Sequence, residues 1–106
     1  SDTTKYEDHF TSSSSLIAIS KSGRSIASED VQNFLHATER GIQVHLFVRK
    51  NKDDKISKEF YYLGHMKASG KVREFVMPNT DKTAVEIEWL LDVPVREDLY
   101  EYIVNA

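Results

Sequence analysis

Residues 28–49 read Ser-Glu-Asp-Val-Gln-Asn-Phe-Leu-His-Ala-Thr-Glu-Arg-Gly-Ile-Gln-Val-His-Leu-Phe-Val-Arg, and their hydrophobic period changes once, at Gly41. Before the glycine, Val31, Phe34, Leu35 and Thr38 recur at helical spacing. Ser28 suits the N-cap, and Glu29 and Asp30 put negative charge where the helix dipole favours it. Arg40 falls in the last turn and Gly41 is placed to end the helix. After it, Ile42, Val44, Leu46 and Val48 alternate with other residues, which predicts a strand.

Working outward, Leu16-Ile-Ala-Ile19 predicts a strand within 14–20, closed by the turn Lys21-Ser-Gly-Arg24. The preceding residues are polar apart from Tyr6, so 1–9 read as a tail and 10–106 as the domain. Downstream, residues 50–58 predict a polar hairpin connection. Glu59 to Leu63 reads as a strand ended by Gly64, and Val72 to Met77 as another, broken by Pro78-Asn79. Ala84 to Leu91 predicts a further strand with Val85, Ile87, Trp89 and Leu91 on one face and Glu86 and Glu88 on the other. Beyond Pro94, the spacing of Val95, Leu99, Tyr102 and Ile103 predicts a short closing helix. The sum is an α+β fold: a compact, curved antiparallel sheet or small barrel with one main helix and a short C-terminal one.

At 106 residues, 40% of them hydrophobic, the chain fits one domain with a core of its own. No run approaches the ~20 apolar residues of a membrane-spanning helix, and no signal-peptide pattern opens the chain. Cysteine is absent, which excludes disulfides and thiolate metal sites. These features predict a cytoplasmic location. The opening Ser-Asp-Thr-Thr, without methionine, reads as a fragment of a longer polypeptide.

The net charge of −3 hides an asymmetry, for residues 40–73 carry nine basic and three acidic side chains. That pattern fits either one basic face or ordinary solvated lysines.

Catalytic signals are sparse. The sequence has no Gly-x-Ser-x-Gly, phosphate loop or dinucleotide fingerprint, and His9, His36, His45 and His65 lack zinc-ligand spacing. Glu86 and Glu88 read as solubilising side chains. The expectation is a non-enzyme with no cofactor or metal of its own.

Binding has more to support it. Phe60, Tyr61 and Tyr62 are consecutive, so the solvated face of their strand carries a ring, as base-stacking surfaces require. Equally, Phe60 and Tyr62 could fill the core with Tyr61 at its rim. Trp89 is assigned to the core. Arg49 ends an apolar strand, where its guanidinium can meet a phosphate or a base edge bidentately, or equally pair with a local carboxylate.

Phe10 with its polar follow-on, Leu46-Phe-Val-Arg49, Phe60-Tyr-Tyr-Leu-Gly64 and Val85-Glu-Ile-Glu-Trp89-Leu occur in an order that resembles one known family. It is the domain of unknown function at the C-terminus of bacterial type IV restriction proteins with a phospholipase-D-type nuclease and a superfamily-2 helicase. The resemblance implies an SRA-like or PUA-like fold that detects 5-methylcytosine or 5-hydroxymethylcytosine by base flipping. It also implies that double-stranded DNA and the parent's helicase and nuclease domains are the partners, with ATP and a divalent metal used by the parent alone. Thr11-Ser12-Ser13-Ser14 departs from the Trp-Gln-Ser element common in relatives, so Phe10, Tyr61 or Tyr62 has to supply the aromatic wall.

On that reading Phe10 and Tyr62, with Tyr61 as a further candidate, stack on the base. Ser12 and Ser13 bond to its edge, and Asp8 accepts from the cytosine amino group. Arg49, Lys50, Lys67, Lys71 and Arg73 hold the backbone. Two other readings stand beside it: a module docking helicase to nuclease, and a PUA-like RNA-binding domain.

Overall fold

The computed structural model describes residues 7–49 and 59–105. In chain order the elements are β1 (His9–Ser12), β2 (Ser15–Ile19), α1 (Glu29–Leu35), β3 (Val44–Arg49), β4 (Phe60–Val76), β5 (Thr83–Leu91) and α2 (Glu97–Val104). The five strands form one antiparallel sheet in the order β1-β2-β5-β4-β3, curled into a half-barrel. The predicted α+β class and curved sheet are what the chain adopts.

β5 lies at the centre because its alternation lets it bury a whole face. Val85, Ile87, Trp89 and Leu91 are buried and join Leu16, Val31, Leu46 and Val95 in the core cluster. Each such aliphatic side chain contributes roughly 1.5–3 kcal/mol when fully removed from water. Val31 brings α1 onto this inner face, where Phe34 meets Trp89 edge-on with ring centroids 5.6 Å apart. At the other end α2 packs Leu99 and Tyr100 against the cluster.

Two expectations are corrected. β4 is one strand of 17 residues where the sequence predicts two. The glycines read as breaks are kinks instead, with φ of 96° at Gly64 and 107° at Gly70. Each falls where the pairing register slips, opposite Leu46/Phe47 on β3 and between Ala68 and Val72 on the β5 side. Extra residues at such bulges bend a strand and increase its twist, so β4 can pair with β3 at one end and β5 along the rest.

The early helix is also shorter than predicted. α1 stops at Leu35 and gives way to turns in which Ala37, not Thr38, is buried. Ser28 stands at the N-cap position, yet its hydroxyl accepts from the Ser25 N–H at 2.9 Å and so fixes the preceding turn. With seven residues, α1 is no longer than the eight-residue α2.

On the N-terminal side, His9–Ser12 forms β1. It pairs with β2 in the register His9↔Ile17 and Phe10↔Leu16. No helix among the described residues is long and apolar enough to cross a membrane.

Candidate nucleic-acid interface

A curled sheet that does not close leaves its two outer strands facing one another. Here β1 and β3 flank a cleft of 560 Å³, lined by Asp8, His9, Phe10 and Leu16 on one side and Leu46, Phe47, Val48 and Arg49 on the other, with Ile103 and Val104 of α2 beside them. That volume lies within the ordinary range for small-ligand sites, roughly 300–1,000 Å³. The walls are largely apolar, with charge confined to Asp8 and Arg49.

Each predicted residue here is positioned by a neighbour. Phe10 is half-buried, and its ring meets that of Tyr100 edge-on at 5.6 Å, so α2 sets its direction. The Asp8 carboxylate accepts from the Ile19 N–H at 2.8 Å, which fixes it at the rim. Arg49 ends β3 opposite Phe60, its guanidinium carbon 5.0 Å from the centre of that ring.

The other predicted pocket residues lie elsewhere. Ser12 ends β1 at the turn into β2, where its hydroxyl lies 2.6 Å from that of Ser15 and accepts from the Ser14 N–H at 3.1 Å. The Ser13 carbonyl accepts from the Val95 N–H at 2.8 Å, tying the C-terminal segment to that turn. Tyr61 packs edge-on against Tyr102 of α2 and donates to Glu59 at 3.0 Å. The bond to Glu59, reinforced by Tyr102, pushes its phenol up to about 12.

Tyr62 points from the opposite face of β4, and its hydroxyl lies 2.9 Å from Nδ1 of His45. The sequence left open which of the three consecutive rings would be solvated. Phe60 and Tyr62 are the exposed ones, and Tyr61 is the half-buried one.

Of the described basic side chains predicted to hold the backbone, Arg49 lines the cleft, and Lys67, Lys71 and Arg73 do not. Arg40 donates to Asn33 at 2.9 Å beside α1. Arg73 grips Glu86 across β4 and β5 at 3.1 and 3.4 Å. Lys71 shares a shallow depression with Glu86 and Glu88, while Lys67 is exposed on β4. Lys50, and the predicted hairpin connection over 50–58, lie outside the described residues. Among the described residues, no group of three or more His, Cys, Asp or Glu side chains is placed to hold a metal ion.

The cleft escaped the sequence because its walls, β1 and β3, meet only through the curl of the sheet. Leu46 and Val48 gave a strand signal, and nothing in their spacing marks a cleft. The outward pair His45 and His65 was equally invisible, since only the β3–β4 register sets them opposite each other.

A family model for the domain of unknown function DUF3427 matches residues 1–103 of the chain. The chain belongs to that family. No curated protein matches this DUF3427 chain. The match covers β1 to the end of the sheet and most of α2, so the half-barrel and its cleft are both built from DUF3427 sequence.

Proposed function

We propose that this DUF3427 chain is a non-catalytic DNA-binding module that takes an extruded, modified cytosine into the cleft between β1 and β3. The observation that carries the reading is convergence. Asp8 and Phe10, near the start of the chain, and Arg49, at the end of β3, line one cleft of 560 Å³. An aromatic ring, an acceptor and a guanidinium in an apolar recess are the groups that read a flipped base, by stacking and by bonds to its Watson–Crick edge.

The resemblance to the C-terminal region of SauUSI, a staphylococcal type IV restriction enzyme, gives the reading its biological setting. There the module would supply specificity to an ATP-dependent helicase and a nuclease elsewhere in the parent. The 5-methyl group adds a small apolar contact, worth ~1–3 kcal/mol where the pocket closes on it. Phosphate contacts alone cannot tell modified from plain cytosine.

The test is titration of the chain with duplexes identical except for one cytosine: plain, 5-methyl or 5-hydroxymethyl. A modified duplex is expected to bind roughly tenfold or more tighter than the plain one, and a fluorescent base analogue at that position to brighten as it leaves the stack. Equal affinity for all three duplexes would falsify the reading. Tighter binding to the same sequence as RNA would favour the PUA-like alternative.

A further inference from the structure

We propose that the outer face of the β3–β4 hairpin is a second ligand surface, a stacking platform for the unpaired bases of a nucleic-acid single strand. It lies outside the half-barrel, and it does not depend on the cleft's taking a modified base.

The first ground is the set of rings. Phe47 and Tyr62 are register partners on adjacent strands, with centroids 5.0 Å apart and planes inclined at 38°. Phe60 stands on the same face of β4, two residues before Tyr62. These three side chains are 59%, 51% and 60% exposed for Phe47, Tyr62 and Phe60 respectively. Single exposed apolar residues are ordinary, but a contiguous exposed patch marks an interaction surface.

The surrounding chemistry selects the occupant. The Arg49 guanidinium lies over Phe60 at 5.0 Å. His45 sits beside Tyr62, and the His65 ring lies against that of His45, tilted by 47° with centroids 4.2 Å apart. Lys67 follows two residues beyond His65 and is exposed. Glu59, the carboxylate just before β4, accepts from Tyr61, whose ring packs on α2.

The face therefore combines flat rings with cationic or protonatable side chains. Rings take base faces and cations take the phosphates between them, which is how single-strand binders work without reading sequence. A duplex hides its base faces in the stack, so the rings call for unpaired bases. Phe47 and Arg49 also line the cleft, so one strand can cross the β3 edge from cleft to platform.

The test is fluorescence anisotropy of the chain with a labelled oligothymidylate, with an oligouridylate arm to separate DNA from RNA. Phe47→Ala and Tyr62→Ala are each expected to weaken binding roughly 5- to 150-fold, the usual range for losing one stacking ring. Tyr62→Phe keeps the ring and loses only the hydroxyl facing His45, so it should bind as the unaltered chain does. Val76→Ala, exposed at the far end of β4, is the control that should change nothing. Circular dichroism melts confirm that each variant is folded, and the rescue by Tyr62→Phe separates stacking from a local structural loss. No binding of either oligonucleotide, or binding indifferent to both alanine variants, overturns the proposal and leaves the patch to a protein partner.

Discussion

Phe10 of β1 and Tyr100 of α2 meet edge-to-face, 5.6 Å between centroids with planes at 85°. The contact joins the N-terminal edge strand to the C-terminal helix, and it orients the one aromatic side chain of the cleft that comes from β1. Such pairs contribute about 0.5–1.5 kcal/mol beyond the area they bury. A double-mutant cycle with Phe10→Leu and Tyr100→Leu, read by urea unfolding, should return a coupling in that range. Additive effects would mean that α2 does not set the Phe10 ring.

The two kinks in β4 give a second expectation. Gly64 and Gly70 hold φ of 96° and 107°, and a Cβ built at either meets nothing within 4 Å. The obstacle to a side chain is therefore backbone conformation alone. Gly64→Ala and Gly70→Ala should each cost about 1–3 kcal/mol of stability. The loss should appear as a lower urea midpoint with an unchanged slope. If the cost is negligible, β4 can straighten and the half-barrel does not depend on its bulges.

These glycines also mark where sequence reading reaches its limit. β5 was legible because its faces differ in chemistry: Val85, Ile87 and Trp89 against Glu86 and Glu88. Gly64 and Gly70 carry a signal that suits a strand end and a bulge equally well. Only the pairing of β4 with two different neighbours decides for the bulge. Phe10 and Arg49 were legible as residue types with binding chemistry, but their meeting in one cleft depends on the curl those bulges produce. Tyr62 shows the converse, since residue type alone could not say which face of β4 it occupies.

Asp30 and Tyr61 contribute to the pH dependence at opposite ends, and Asp98, held below the usual carboxylate range by its bond from Arg96, adds to the acid side. The Arg24 guanidinium, donating at 2.8 Å, holds Asp30 below the usual carboxylate range. A depressed carboxyl contributes stability that is present above the unfolded value, roughly 3.9, and lost as pH falls through the folded one. Tyr61 is raised to about 12 by its bond to Glu59 and then by Tyr102. Its contribution is complete below the unfolded value, roughly 10, and disappears as pH rises toward the folded one. Thermal unfolding followed across pH should therefore fall away on both sides. Arg24→Gln is expected to soften the acid limb and Tyr61→Phe the alkaline limb. Unchanged limbs in both variants would show that neither contact matters in solution.

The last expectation separates Arg49 from Arg73, two guanidiniums the sequence treats alike. Arg73 is engaged with both oxygens of Glu86, and Glu88 stands on the same face of β5, so a phosphate arriving there meets two carboxylates. Exposed ion pairs are weak, about 0–1 kcal/mol, so pairing alone would not keep a phosphate away; but Lys71 and Arg73 are matched there by Glu86 and Glu88, which leaves no net positive charge to draw one. Arg49 stands at the rim of the cleft beside Phe47, where a backbone passing an extruded base would run. Duplex affinity should fall with salt at a log–log slope of about −0.9 per phosphate contact. Arg49→Gln should make that slope shallower by about one contact and weaken modified and plain duplexes alike. Arg73→Gln should leave the slope as it is and shift stability by no more than ~1 kcal/mol. Should Arg73→Gln flatten the slope and Arg49→Gln leave it, the DNA crosses the outer face of β4 and β5, and the cleft between β1 and β3 is not where the base goes.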